Sequence, residues 1–342
     1  VTITAAFSEA MIATPTISIT GSVTDVAMTK ISIAGNSSVV TQLGADIDGQ
    51  RTNDDSGRSV SLSSDGLTVA IGSPEWENGS SFSEGKVAIY DYNGSAWVQV
   101  GGDIDGEAAQ DKSGSSVSLS SDGRRVAIGA YLNDGNGSSS GHVRIYDYNG
   151  SAWVQVGADI DGEAANDGSG YSVSLSSDGS RVAIGAYSND GTNGANSGHV
   201  RIYDYDGSAW VQVGGDIDGE AANDQSGRAV SLSSDGTRVA IGAKFNDGAN
   251  GSNSGHVRIY DYNGSAWVQV GADIDGEAAN DDSGRSVSLS SDGSRVAIGA
   301  PDNNGNGSSS GHVRIYDYDG SAWVQVGADI DGEAQGDTLG YS

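Results

Sequence analysis

Short stretches in which apolar and polar residues alternate recur along most of the chain. In residues 159–215 the stretches "YSVSLSS", "SRVAIGA", "HVRIYDY" and "SAWVQVG" follow one another, separated by polar segments. A period of two residues indicates a β-strand, and no segment holds the 3.6-residue period of a helix over ten residues. The pattern therefore predicts an all-β protein with four short strands in each repeat.

Turn residues separate these strands at fixed places. Asn-Gly or Asp-Gly stands between the third and fourth strands of every repeat, and "SSDG" joins the first strand to the second. Such dipeptides favour tight hairpin turns, because both residues tolerate positive φ. The sequence predicts five blade repeats, at 46–102, 103–158, 159–215, 216–272 and 273–328. An N-terminal β segment (1–45) precedes them, and the start of an incomplete sixth repeat (329–342) follows.

A single four-stranded sheet of this kind cannot bury both of its apolar faces. Neighbouring sheets must therefore stack, and a ring of stacked sheets leaves no end face exposed. This predicts a β-propeller, with an open solenoid or a string of sandwiches as the alternative. "TDVAMT", "KISIAGN" and "SSVVTQLG" near the N-terminus overlay three strands of a repeat. We thus expect six blades, the last of them shared by both termini.

Charge and composition narrow the functional classes. The 46 acidic residues oppose 17 basic ones, for a net charge of −29, which repels nucleic acid and attracts cations. No apolar run is long enough to suggest membrane insertion, and there is no cysteine for a disulfide. Catalysis needs an asymmetric set of groups, whereas near-identical repeats supply the same group many times. We expect neither an enzyme nor catalytic residues.

The pattern Asp-x-Asp-Gly-x₄-Asp precedes the first strand of each repeat. In an up-and-down blade this loop and the loop between the second and third strands lie on the same face. Calcium takes six to eight oxygen ligands and suits such loops, but Asp beside Gly also caps turns without any metal. Both interpretations stay open. The candidate metal ligands are Asp46, Asp48, Asp54, Asp103, Asp105, Asp111, Asp159, Asp161, Asp167, Asp216, Asp218, Asp224, Asp273, Asp275 and Asp281.

Other recurring residues have structural interpretations. Five equivalent tryptophans, one in each fourth strand, are expected to pack between blades. His142, His199, His256 and His312 share one position, which Lys86 occupies in the first repeat. Because a lysine replaces the histidine there, we expect a hydrogen-bond donor at this position rather than a metal ligand.

Residues at which the repeats differ suggest a binding patch. Aromatic and arginine side chains at loop ends are typical of binding sites, although loop ends also vary without any function. The candidate ligand-binding residues are Trp76, Tyr131, Tyr187, Phe245, Arg58, Arg228 and Arg285.

The stretches "GYSVSLSSDGSRVAIGA" and "GHVRIYDYDG", with "IGAP" at 298–301, resemble FG-GAP repeats, the blade units of integrin-like extracellular propellers. The resemblance covers residues 46–342 and implies an extracellular or cell-surface location. Blades of that family that bind calcium have an Asp-rich loop between the first two strands, where this chain has only "SSDG". Residues 1–28 resemble the start of a bacterial immunoglobulin-like surface domain.

Together these features predict a non-enzymatic extracellular β-propeller that acts as a surface adhesion, binding or structural module, with calcium on its acidic loops. One alternative is a self-assembling subunit of an extracellular fibre or sheath that exchanges strands between termini. Another is a carbohydrate-binding propeller. The expected partners are a protein or glycan surface ligand or other copies of the chain, with no nucleic acid.

Overall fold

A computed structural model of the chain describes residues 42–77 and 83–342. All regular secondary structure in these residues is β-strand, and none of them belongs to a helix that could cross a membrane. The predicted N-terminal part of the sixth blade and the immunoglobulin-like segment fall on residues 1–41, outside the described residues.

The strands form five antiparallel sheets, with one strand of each type in every sheet. The first strands are β1 (Ser59–Leu62), β6 (Ser116–Leu119), β11 (Ser169–Leu175), β16 (Ala229–Leu232) and β21 (Ser286–Leu289). The second strands are β2 (Thr68–Ser73), β7 (Arg125–Ala130), β12 (Arg181–Ala186), β17 (Arg238–Ala243) and β22 (Arg295–Ala300). The third strands are β3 (Lys86–Tyr92), β8 (His142–Tyr148), β13 (His199–Tyr205), β18 (His256–Tyr262) and β23 (His312–Tyr318).

The fourth strands are β4 (Trp97–Gln99), β9 (Trp153–Gln155), β14 (Trp210–Gln212), β19 (Trp267–Gln269) and β24 (Trp323–Gln325). A fifth, two-residue strand completes each sheet: β5 (Ile104–Asp105), β10 (Ile160–Asp161), β15 (Ile217–Asp218), β20 (Ile274–Asp275) and β25 (Ile330–Asp331). Strands one to four pair in chain order, and the fifth pairs with the third.

The fifth strand differs from the sequence prediction, which placed these residues in a loop. In the third sheet, β14 pairs with Tyr203–Tyr205 of β13, whereas β15 pairs with His199 and Val200 at the other end of the same strand. The two short strands therefore form one outer edge, interrupted at Gly214, whose φ is +77°. Ile217 is buried, and the burial of this apolar side chain gives the segment its place in the sheet.

Apolar side chains from two neighbouring sheets form each core. Between the second and third sheets, Val143 and Ile145 of β8 pack with Val182 and Ile184 of β12, and all four are at most 2% exposed. Trp210 packs against the same cluster, and its Nε1 donates a 2.9 Å hydrogen bond to the carbonyl oxygen of Val156 in the preceding repeat. Burial of both faces of the sheets is thus achieved by stacking, as the alternation of residues requires.

The first strands of successive sheets also contact one another. The Ser172 hydroxyl donates to the carbonyl of Gly227 at 2.8 Å, and the amide of Leu232 donates to Oγ of Ser174 at 3.0 Å. A Cβ atom on Gly185 would lie 2.0 Å from the Gly227 oxygen. Only glycine permits this approach of two backbones, so the repeated Gly in "AIGA" sets the distance between sheets.

Residues 42–47 and 92–97 belong to a smaller compact unit, distinct from the larger one of 48–91 and 98–342. In the smaller unit Trp97 Nε1 donates to the carbonyl of Leu43 at 2.9 Å, and Gln42 Nε2 donates to Asp46 at 2.7 Å. These bonds match those of Trp153 to Val100 and of Gln99 to Asp103. Residues 42–44 therefore have the local structure that ends a fourth strand.

Candidate metal centres and ligand-binding residues

Two sets of long loops lie side by side and form what we call the loop face. One set leads into the first strand of each sheet, and the other joins the second strand to the third. Asn193 Nδ2 donates to the carbonyl of Gly219 at 2.6 Å, and the amide of Ser226 donates to the carbonyl of Ser197 at 2.9 Å. Loops of neighbouring repeats are therefore held together by direct hydrogen bonds.

The third aspartate of the repeated pattern holds these two sets of loops together. Asp224 is 2% exposed, and its Oδ2 accepts hydrogen bonds from the Ala221 amide (3.0 Å) and from Asn246 Nδ2 (2.9 Å). The same arrangement occurs at Asp111, Asp167 and Asp281. Asp54 accepts instead from the amides of its own loop.

The first aspartate of the pattern lies in a different cluster. In four repeats it meets the histidine that begins the third strand and a glutamate from the loop that leads into the same sheet, with the three ligand atoms within 4.8 Å of one another. We call these groups the Glu-His-Asp clusters. They are Glu107, His142 and Asp159; Glu163, His199 and Asp216; Glu220, His256 and Asp273; and Glu277, His312 and Asp329.

The predicted aspartate triplets are therefore divided among three environments. The first aspartate lies beside the histidine, and the second belongs to the fifth strand. The third is a buried loop anchor, which means that its hydrogen bonds hold the two sets of loops together. Burial, together with the charge of Asp273, raises the pKa of Asp275, and the same causes raise the pKa of Asp105 beside Asp103. Among the residues described, the close groups of three possible metal ligands are the four Glu-His-Asp clusters.

The third cluster shows the geometry best. His256 Nδ1 lies 3.9 Å from Oε2 of Glu220 and 3.8 Å from Oδ2 of Asp273. Two ligand atoms bound to one tetrahedral zinc ion are about 3.4 Å apart, so a small inward movement of the carboxylates would suffice. Arg258 approaches the other oxygen of Glu220 at 3.4 Å. Two carboxylates and one guanidinium give this cluster a net charge of −1 when the imidazole is neutral.

The histidines are neutral at pH 7. His256 is 1% exposed, and burial, with a smaller effect of the Arg258 charge, lowers its pKa from 6.5 to about 4. Burial likewise lowers the pKa of His142, His199 and His312. A neutral imidazole keeps a free lone pair, which is the form that binds metals.

The first sheet has a different set of residues at the same place. Lys86 replaces the histidine, Gln50 the glutamate and Ala88 the arginine. Lys86 is buried, and its Nζ lies 2.8 Å from Oδ2 of Asp103 and 3.6 Å from the ring centroid of Trp76. An ammonium group thus neutralises the remaining carboxylate. In the first sheet the lysine thus provides a cation within the protein itself. The sequence analysis took this replacement of histidine by lysine as an argument against a metal ligand.

The candidate ligand-binding residues do not form a single group. Tyr187 and Arg228 lie together around Tyr171, and Tyr131 contacts Tyr171 from the other side. Arg285 stacks on Tyr341. Trp76 contacts Lys86 instead, Phe245 is covered by the Lys244 ammonium, and Arg58 is exposed.

Comparison with known families identifies the repeats. The family model described as "FG-GAP repeat" matches residues 104–146 and 217–260. These two segments are FG-GAP repeats. Each runs from the fifth strand of one sheet through the third strand of the next, so the matched FG-GAP unit includes a Glu-His pair and the arginine two residues beyond the histidine. No curated protein matches the chain.

Among solved structures, the hydrazine synthase of Kuenenia stuttgartiensis is similar to this chain, with a TM-score of 0.51 and 15% sequence identity. The alignment covers 82% of this chain and 69% of that one. At this identity the similarity shows the fold alone. FG-GAP repeats and stacked antiparallel sheets confirm the predicted all-β fold and the β-propeller module. The number of six blades stays a prediction.

Sequence analysis missed the glutamates of the Glu-His-Asp clusters. Glu107, Glu163, Glu220 and Glu277 each follow "DIDG", and each complete repeat with this glutamate also has the histidine, whereas the first repeat has Gln50 and Lys86. This paired change was visible in the sequence. Its meaning depends on the fold, because the glutamate and the histidine are 35 or 36 residues apart along the chain.

Proposed function

We propose that the chain is a non-enzymatic β-propeller module at a cell surface or in the extracellular space, where it binds a surface ligand and uses bound cations to fix its loop face. The observation that carries the metal proposal is the occurrence of four equivalent Glu-His-Asp clusters, one in each of four sheets. The extracellular location rests on the likeness to FG-GAP propellers and on a net charge of −29.

A cation in these clusters would fix the loop that enters a sheet to the strands of that same sheet. In the second cluster Glu163 comes from the loop that leads into the third sheet, His199 begins its third strand, and Asp216 follows its fourth strand. One ion would therefore join a loop, an inner strand and an outer strand. Binding to the folded state alone adds about 2.7 kcal/mol per site when the free ion is at 100 times its Kd.

The donor set favours particular ions. Calcium takes six to eight oxygen ligands, whereas each Glu-His-Asp cluster offers two carboxylates and an imidazole. Imidazole with carboxylates suits zinc or manganese. We therefore propose that the Glu-His-Asp clusters bind a divalent cation such as zinc or manganese. Calcium, predicted from the aspartate triplets, is the competing ion in the test.

The test is a titration of chelator-treated protein with zinc, manganese and calcium chloride by calorimetry, together with thermal melts. We expect zinc or manganese to bind with about four equivalents and to raise Tm. The double substitution His199→Lys with Glu163→Gln introduces two of the residues of the first sheet at the second cluster. It should reduce the stoichiometry by one equivalent and leave the protein folded.

Two results would overturn the metal proposal. One is the absence of binding and of a Tm shift with all three ions. The other is an unchanged stoichiometry in the double variant. If calcium bound more tightly than zinc or manganese, the metal site would be assigned to the oxygen-rich loops, and the Glu-His-Asp clusters would be rejected as the site.

A second candidate function, self-assembly, is favoured by one observation. Val60 and Leu62 of β1 are 61% and 59% exposed, whereas the equivalent Val117 and Leu119 are 9% and 7% exposed beneath the preceding sheet. Among the described residues nothing comparable covers the face of the first sheet. If another copy covers it, light scattering should show a mass that increases with concentration, and Val60→Thr with Leu62→Thr should reduce that mass. A concentration-independent monomer would reject assembly.

A further inference from the structure

Two positions at which the repeats differ come together at one edge of the loop face. The first is the residue that enters the first strand, and the second is the residue that leaves the second strand. Around them the strands are almost unchanged from repeat to repeat. The entering residues are Arg58, Ser115, Tyr171, Arg228, Arg285 and Tyr341, and the leaving residues are Pro74, Tyr131, Tyr187, Lys244 and Pro301.

These side chains contact one another across the sheets. The ring centroids of Tyr131 and Tyr171 are 5.3 Å apart, and those of Tyr171 and Tyr187 are 4.6 Å apart. The Arg228 guanidinium lies 4.3 Å from the Tyr171 centroid and 4.9 Å from that of Tyr187. One continuous aromatic and cationic surface, which we call the Tyr-Arg cluster, thus spans the second to the fourth sheet.

The cluster continues into the fifth sheet and the start of the sixth repeat. Arg285 lies 4.3 Å from the centroid of Tyr341, whose side chain is 49% exposed. Lys244 pairs with Asp282 at 2.9 Å, so this cation is already neutralised. Burial lowers the pKa of Arg228 below that of ordinary arginine, and the charge of Arg285 lowers it further. The positive charges of the two guanidinium groups therefore act on each other.

The arginines of this cluster differ from the others in the chain. Nine of the 13 arginines form salt bridges with carboxylates. Arg58, Arg228 and Arg285 form none with any residue that the structure describes, although acids outnumber bases 46 to 17. Nε of Arg228 is buried without a hydrogen-bond partner. A partly buried guanidinium without a counter-ion is unfavourable unless a ligand supplies the negative charge.

We propose that the Tyr-Arg cluster binds a small ligand with a single carboxylate on a hydroxyl-bearing ring, such as an acidic monosaccharide. The proposal rests on the binding function proposed above and names its ligand. Guanidinium groups bind carboxylates through two parallel hydrogen bonds, and tyrosine combines an aromatic surface with a hydroxyl that donates and accepts.

The overall charge limits the size of the anion. The positive potential is confined to a few residues in a protein of net charge −29. An extended polyanion would place its other charges over the acidic loops, where it is repelled. In a β-propeller the innermost strands surround a central channel, and the Tyr-Arg cluster lies where the first strands meet the loop face.

Binding of sodium glucuronate to the full chain, followed by calorimetry or by NMR, tests the proposal. Glucose has the same ring without the carboxylate, and acetate has the carboxylate without the ring. We expect glucuronate to bind at least tenfold more tightly than either. Arg228→Gln and Arg285→Gln should each weaken glucuronate binding about tenfold or more. Arg124→Gln, in a tight turn at the opposite ends of the strands, is the matched control and should bind as the wild type does.

Several outcomes would overturn the proposal: no glucuronate binding, equal binding of glucose or acetate, or equal binding by the Arg285→Gln variant and the wild type. Circular dichroism melts establish that each variant is folded, and Arg285, which is less enclosed than Arg228, keeps the test valid if Arg228→Gln unfolds. The zinc stoichiometry of the same samples depends on the Glu-His-Asp clusters. It therefore shows whether the metal proposal fails, separately from the result for glucuronate.

Discussion

Lys86 Nζ lies 2.8 Å from Oδ2 of Asp103, at the place where later sheets have a histidine between two carboxylates. Lys86 is 2% exposed, so its buried ammonium group is stabilised by Asp103 and by the Trp76 ring. The chain therefore has two arrangements at this position, where negative charge accumulates between a loop and a strand: a buried lysine in the first sheet and a buried histidine in the later ones.

Substitution of Lys86 tests this relationship. Lys86→Met removes the ammonium and leaves Asp103 without its partner, so we expect a loss of about 2 kcal/mol in the free energy of unfolding. Lys86→His should be less destabilising, because four other sheets accommodate histidine at this position. Urea denaturation measures both variants. Equal stability of Lys86→Met and the wild type would show that the ion pair is not stabilising.

The buried histidines predict a pH dependence of stability in metal-free protein. The pKa of His256 is about 4 in the folded protein, against 6.5 for an ordinary histidine, so the unfolded state binds more protons between these pH values. Stability from this group is therefore complete above pH 6.5 and is lost as pH falls towards 4, by about 3 kcal/mol at most.

The measurement is urea denaturation at a series of pH values, compared with His256→Gln. The difference in unfolding free energy between wild type and variant should decrease as pH falls from 7 to 4. This comparison removes the opposite contribution of carboxylates such as Glu220, whose pKa is raised by burial. Parallel pH profiles for the two proteins would contradict the prediction.

A repeated arginine links neighbouring sheets at the tight-turn end. Arg181 donates through Nε and Nη2 to the two carboxylate oxygens of Asp204, at 2.5 and 2.7 Å, and through Nη1 to the Gly236 carbonyl of the next sheet at 2.9 Å. Lysine cannot make this set of bonds, so Arg181→Lys should lower the unfolding free energy by about 1–2 kcal/mol.

Arg295 provides the matched control. It forms the same two bonds with Asp317, but its side chain is 54% exposed and no bond to a following turn is present in the described residues. Arg295→Lys should therefore be less destabilising than Arg181→Lys in the same denaturation assay. Equal effects would mean that the bond to the next sheet adds nothing.

The close approach of sheets predicts a strong effect of one methyl group. Gly185→Ala would place Cβ 2.0 Å from the oxygen of Gly227, and we expect a loss of about 3 kcal/mol or more as the sheets separate. Gly207, in a hairpin turn with a φ of +97°, has no atom within 4 Å of a Cβ position. Gly207→Ala should cost only its backbone strain, about 1 kcal/mol. Thermal melts compare the two.

Much of the fold was predictable because it depends on local chemistry. The alternation in "HVRIYDY" and the Asn-Gly turn after it specify a strand and a hairpin, whatever lies around them. The structure places the third strand at His199–Tyr205 and the fourth at Trp210–Gln212, inside the predicted stretches. The two-residue fifth strand was not predicted, since Ile217 and Asp218 are too few to show a period.

The candidate site was predictable only in part. The acidic residues were identified from their spacing, but residues close in sequence, such as Asp216 and Asp224, have different roles: one faces His199, and the other is a loop anchor with Asn246. Likewise, Tyr131, Tyr187 and Arg228 were identified as departures from the repeat, without any indication that they lie around one tyrosine, Tyr171.

The sequence by itself determined the repeat, its strands and turns, and the sign of its charge, because each follows from the order of neighbouring residues. Only the tertiary structure decided which side chains share a site. Every proposed centre joins residues from different strands or repeats, such as Glu220 with His256 and Tyr171 with Arg228. The distance between Tyr171 and Arg228 depends on how closely two sheets pack, and so on apolar burial and on glycines such as Gly185 rather than on spacing along the chain.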